Sequence, residues 1–435
     1  MLLLSGALCA GCVVGQEGAG EDTNADSSKL ATILDFEFDG EVVIHWYDDP
    51  VAAIKTQFLY TVGQLNGDYT VDGVDGEKVV WGDTAVGQLN RLDLSNIQQD
   101  VTGEGDIRVT YHARLPVAWG SKWNLPTTYT FKLPKYMSQD GLGQFALRYL
   151  GPCTKQDKDP IWPEEMYWFY RPNMPGCELD DADVSTSTAT VSVSRANTTA
   201  NTYPEYHKVW EDGVLKVVVI FSKDKSWATW DDPGISDYED FVRRAREALQ
   251  PYSLETEPAD LPDQSIPWDV TLRAQWTDGK QIEIVTLLVE EVASAPPSFG
   301  ERYNSLTPDA DLIVYNGHSG LGENVRALAS KGQFVSGQYL MLFINSCDSY
   351  TWADGTMVAT RAPLNPDDPT GTKYLDTIVN VMPAYFGTSF DSTMAIIYAL
   401  LDDHHPSTYE EIFDGIDPRQ VVMVMGDEDN VYDPG

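Results

Sequence analysis

The sequence predicts an α/β C-terminal domain with a mostly parallel sheet flanked by helices, preceded by a mainly β N-terminal domain. Three observations carry this. Residues 30–209 hold alternating or β-branched, aromatic-rich runs separated by turn residues, whereas residues 210–435 alternate strand-like and helical stretches. The strand runs of the second part are continuously apolar, the mark of strands buried on both faces. Helical stretches fall between them, as parallel pairing with crossovers requires.

The chain opens MLLLSGALCAGC, a short apolar stretch followed by Ala10-Gly11-Cys12. This resembles the lipobox of bacterial lipoproteins, which implies cleavage and acylation at Cys12. Residues 13–29 are small, polar and acidic, the composition of a flexible tether. Residues 1–29 therefore read as lipoprotein signal and tether. That places the protein in the bacterial cell envelope or on the extracellular surface, touching a membrane only through its lipid anchor.

In residues 30–209, strands are expected at 33–46, 105–115, 127–133 and 184–194, with one helix at 51–62. His45 and His112 sit inside strand patterns and read as structural. The role of this domain is not legible. Five cysteines occur: Cys9, Cys12, Cys153, Cys177 and Cys347. Cys153 and Cys177 bracket a Pro- and aromatic-rich stretch, and in an exported chain a disulfide between them is the expectation. Cys347 is left over, either as a core residue or as a reactive thiol.

The 435 residues are 42% hydrophobic and 22% charged, enough for packed cores, and the formal net charge is −38. Such acidity repels phosphate backbones and excludes a nucleic-acid binder. No apolar run reaches the roughly 18 residues that suggest a membrane span.

In residues 210–435, strands are expected at 215–222, 311–318, 339–347 and 377–383, and a hairpin or neighbouring strands at 270–289 around Asp278-Gly279. Helical spacing marks 235–249, 392–402 and 407–416. Ligands of open parallel sheets gather outside the carboxyl ends of the strands. His318 lies just past one apolar run and Cys347 just past the next. Consecutive parallel strands put such residues about 5 Å apart, and an imidazole beside a thiol activates it as a nucleophile.

The strings Leu312-Ile-Val-Tyr-Asn-Gly-His318-Ser-Gly320 and Leu340-Met-Leu-Phe-Ile-Asn-Ser346-Cys347 resemble the caspase–hemoglobinase superfamily of cysteine peptidases, in which one apolar strand ends in His-Gly and another in a small residue and Cys. The resemblance covers roughly residues 210–425. It implies a caspase-like domain, His318 as general base, Cys347 as nucleophile, an oxyanion hole from backbone N–H groups near Gly320 and at Cys347, and a protein or peptide substrate. Ser319 stands where the family most often has Gly.

Two other readings stay open. A serine hydrolase would use Ser319, although Gly317-His318-Ser319-Gly320-Leu321-Gly322 places its glycine one residue too late for the G-x-S-x-G elbow. A non-catalytic surface lipoprotein with a peptidase-like fold would bind a partner. No cofactor is required. His404-His405 lack further ligands at metal spacing, and Asp367-Asp368 and Asp427-Glu428-Asp429 leave calcium open without EF-hand spacing.

Overall fold

The computed structural model describes residues 30–435 except 67–84, 104, 121–124, 156–160, 198, 226–230, 354, 403 and 418–419. Cys12 and the tether lie outside the described residues. The described residues divide into two compact units, one of residues 31–197 and one of residues 199–435 with Leu30.

The first unit contains β1 (Thr32–His45), α1 (Pro50–Leu65), β2 (Ala85–Gly87), β3 (Asp93–Gly103), β4 (Asp106–Trp119), β5 (Thr128–Pro134), α2 (Gln139–Tyr149), α3 (Met166–Phe169) and β6 (Val184–Val193). Its strands form an antiparallel half-barrel in the order β2-β4-β1-β6-β5, with β3 also on β4. α1 starts because Asp49 caps it, accepting from the Ala52 N–H at 2.9 Å, and Pro50 presets its first turn. One face of α1 is buried on the sheet through Phe58, which packs on Phe38 of β1, and Phe38 packs in turn on Phe131 of β5. Gln57 and Gln64, one helical stripe apart, are buried too. Gln64 donates to the Thr130 carbonyl at 2.8 Å and accepts from the Lys132 N–H at 3.0 Å, satisfying the outer edge of β5. Cys153 and Cys177 are joined in a disulfide with Cα atoms 4.7 Å apart. His45 and His112 lie 2.9 Å from Asp106 and Asp39.

The second unit contains α4 (Tyr206–Val209), β7 (Val214–Ser222), α5 (Pro233–Leu249), β8 (Glu255–Glu257), β9 (Asp269–Gln275), β10 (Gln281–Val289), α6 (Pro297–Leu306), β11 (Leu312–Gly317), α7 (Glu323–Lys331), β12 (Leu340–Ser346), α8 (Ser349–Trp352), α9 (Thr356–Arg361), β13 (Leu375–Asn380), α10 (Ser389–Leu401), α11 (Tyr409–Asp414) and β14 (Val422–Met425). The expected mostly parallel, caspase-like sheet is not what forms. The sheet is mixed and eight-stranded, in the order β14-β13-β12-β11-β7-β10-β9-β8. β10, β7, β11, β12 and β13 run parallel, β9 and β14 run against them, and β8 pairs antiparallel with β9. The physical reason is connection length: the tight turn at Asp278-Gly279 can join β9 to β10 only as an antiparallel pair.

β7 is where chain order reverses. The chain leaves it for β10 on one side and then returns to β11 on the other, so a crevice is expected at the carboxyl end of β7 and β11. Beside that edge runs a row of buried amides. Asn345 of β12 donates to Asn316 Oδ1 of β11 at 2.8 Å, and Asn380 of β13 donates to Asn345 Oδ1 at 2.8 Å. Asn316 donates in turn to Thr393 of α10 at 3.1 Å. All three asparagines are buried.

Removing the middle amide leaves Asn316 Oδ1 and the Asn380 amide with only their longer bonds, from Thr393 at 3.3 Å and to the Ser346 carbonyl at 3.4 Å. Asn345→Leu is expected to cost about 2–4 kcal/mol, read from urea denaturation of the full chain. A loss below about 1 kcal/mol would show that the row is not holding the edge together.

Candidate functional site

The register Asn316↔Asn345 and Gly317↔Ser346 makes His318 and Cys347 the next residues out of two adjacent parallel strands. They emerge on one edge, one strand spacing apart. The structure therefore brings these two sequence-derived residues together.

His318 is held from the β7 side. Its Nε2 lies 2.9 Å from the Asp224 carbonyl and 3.4 Å from Asp224 Oδ1. A carbonyl only accepts, so Nε2 carries the proton and Nδ1 is left as the basic nitrogen in the neutral ring. Burial works to lower the pKa of His318, but the Asp224 carboxylate and carbonyl, with the Cys347 charge, outweigh it and the net shift is upward. Asp224 is itself positioned. Asp232, the N-cap of α5, accepts from the Asp224 N–H at 2.9 Å and the Lys225 N–H at 2.8 Å while capping Gly234 at 2.8 Å. Gly317 permits this approach, since a Cβ there would stand 1.8 Å from Ser222 Oγ at the end of β7. The His318 carbonyl accepts from Tyr315 at 2.7 Å and Asn324 at 2.9 Å, which fixes the strand end.

After His318 the backbone turns through left-handed conformations at Gly320 (φ 57°), Leu321 (φ 52°) and Gly322 (φ 85°). A non-glycine residue in that region stores strain, and such turns are found at functional sites. Ser319 is buried. Its Oγ donates to the Cys347 carbonyl at 2.6 Å and lies 2.8 Å from Ser346 Oγ, so its proton is committed to that carbonyl.

Cys347 is a free thiol, and its Sγ donates to the Ala384 carbonyl at 3.5 Å. Phe386 packs edge-on against the His318 ring, with centroids 5.5 Å apart. Both side chains are buried, His318 8% and Cys347 5% exposed. Gly387, next in the same segment, gives its N–H to both carboxylate oxygens of Asp237 on α5, at 2.8 and 2.9 Å. Sequence reasoning missed Asp224, Asp237 and Phe386. Asp224 had a weaker signal: it lies two residues past the β7 run, where His318 lies one past the β11 run.

The remaining candidates lie elsewhere. His405 pairs with Asp402 at 3.2 Å and is exposed. Asp367 holds Lys373 and Tyr374 at 2.5 and 2.8 Å, and Asp429 accepts from Thr372 at 2.8 Å. Among the described residues, no three His, Cys, Asp or Glu side chains form a group that could hold a metal ion. An open groove of about 570 Å³ on the first unit is lined by Asp39, Glu41, Arg108, His112 and Lys135 among others. No family model, curated protein or solved structure matches this chain.

Asp237 gives the site a pH dependence. Burial pushes its carboxyl up from 3.8 to about 7, with Asp240 and Asp391 adding to the rise and the Gly387 N–H and Ser389 opposing it. A raised carboxyl pKa stabilises the fold fully below the unfolded value of about 4, and this contribution is lost as pH climbs through about 7. Asp237→Asn stays neutral throughout. Its stability relative to wild type should therefore be higher at about pH 8 than at about pH 5, compared by urea midpoints. Equal differences at the two pH values would contradict the assignment.

Proposed function

We propose that this chain is an exported cysteine peptidase working through a His318–Cys347 dyad. The observation that carries the reading is the register of β11 on β12, which sets the free thiol and the imidazole at adjacent strand ends while Asp224 fixes the ring. His318 Nδ1 takes the thiol proton, and the Cys347 sulfur attacks a peptide carbonyl carbon. Backbone N–H groups of the left-handed turn near Gly320, with that of Cys347, hold the oxyanion. The imidazolium then gives its proton to the leaving amine, and water, activated by the same nitrogen, releases the acyl group from sulfur. Asp224 orients the ring and stabilises its charged form. The Cys153–Cys177 disulfide supports an oxidising compartment, and with Ala10-Gly11-Cys12 it supports a lipid-anchored envelope protein.

Burial of both groups favours a second reading, a surface lipoprotein that binds a partner without turnover. Ser319 is disfavoured as a nucleophile because its hydroxyl is committed to the Cys347 carbonyl.

The test uses cleavage of an unfolded protein substrate together with iodoacetamide labelling of Cys347. Cys347→Ala and His318→Ala should each lower cleavage by at least about a hundredfold, the usual scale for losing an acid–base group. Ser319→Ala should retain most of it. His318→Ala should also slow labelling of Cys347. No cleavage by wild type, with Cys347 labelled equally fast with and without His318, hands the site to the binding reading.

A further inference from the structure

The segment between β13 and α10 does something the dyad alone does not explain. Within three residues it touches both reacting groups: the Ala384 carbonyl accepts the Cys347 thiol proton, and the Phe386 ring closes over the imidazole. Phe386 is itself buried, 7% exposed. A thiol that donates to this carbonyl has its proton turned there and not to the imidazole. A thiol and an imidazole that are both more than nine-tenths buried give an extended peptide no approach. The closed arrangement is therefore incompatible with the chemistry proposed for it.

The segment carries no helix or strand of its own between Asn380 and Ser389. Its hold on the rest of the unit includes the clamp of the Gly387 N–H on both oxygens of Asp237, a side chain 1% exposed on α5. A second set of bonds is internal: the Tyr385 carbonyl accepts from Thr388 Oγ1 at 2.9 Å. Loops that must move are drawn from the parts of a fold with few regular backbone bonds. The Gly387–Asp237 clamp can release while the sheet beneath stays intact.

Resting on the cysteine-peptidase reading, we propose that Ala384–Thr388 is a latch that keeps the dyad latent, and that an extended substrate peptide takes the place of Ala384–Phe386 over the thiol once the Gly387–Asp237 clamp lets go. The Ala384 carbonyl then stands in for a substrate carbonyl, and Phe386 for a substrate side chain beside His318.

The experiment measures iodoacetamide labelling of Cys347 in the full chain, alongside hydrogen exchange of the β12 and 381–388 peptides. Phe386→Ala and Asp237→Ala should each speed labelling by at least about tenfold, because labelling follows the population of the open form. Exchange should rise in 381–388 and stay unchanged in β12. Asp237→Asn, which keeps an acceptor for Gly387, should label closer to wild type. Unchanged labelling in both opening variants overturns the latch, as does a gain matched by equal loosening of β12. The peptidase reading fails separately. In that case the opened Phe386→Ala chain labels fast yet cleaves no protein substrate, and adding His318→Ala leaves its labelling rate unaltered.

Discussion

The register of β11 against β12 is the constraint on which the site depends. Continuous apolar strands have no alternation to say which residue faces which, so a slip costs little hydrophobic burial. The amides of Asn316, Asn345 and Asn380 supply the missing specificity. They pair only when the three strands are aligned, because a displaced amide would be buried without partners. In that alignment His318 and Cys347 are level.

A second chain of polar contacts fixes the imidazole from the other side. Asp232 caps α5 and at the same time collects the N–H groups of Asp224 and Lys225, so the helix start and the end of β7 are one unit. Asp224 then presents both carbonyl and carboxylate to Nε2. Burial alone would keep the imidazole neutral, whereas this pairing restores its affinity for a proton. The helix that positions the base also bears Asp237, which clamps the segment lying over it. One helix therefore bears on both assembly and closure of the site.

Much of this was legible. The five parallel strands stand out as apolar runs, and the strand-end rule finds His318 and Cys347 without an alignment. The same rule applied to the end of β7 points to Lys223, one residue short of Asp224. The fold class was misjudged because its evidence lies in short or atypical elements. β14 is four residues of Val and Met, β8 is Glu-Thr-Glu, and β3 is exposed along nearly its whole length and so shows no alternation. α2 was hidden by Gly141 and Gly143, poor helix formers in its interior. Phe386 and Ala384 could not be read at all. Their contact with the dyad comes from how an irregular segment folds back across a strand edge, and no periodicity records that.

The central claim is that His318 and Cys347 act on each other. Nitrogen NMR of the His318 ring as a function of pH, in the Phe386→Ala chain where the thiol is released from the Ala384 carbonyl, tests this without substrate. The account predicts a neutral ring protonated at Nε2 and a midpoint above the ordinary 6.5, because Asp224 and Cys347 both favour the imidazolium. Cys347→Ala should lower that midpoint while leaving the Nε2–H form in place. A midpoint that does not move when the sulfur is removed would contradict the pairing.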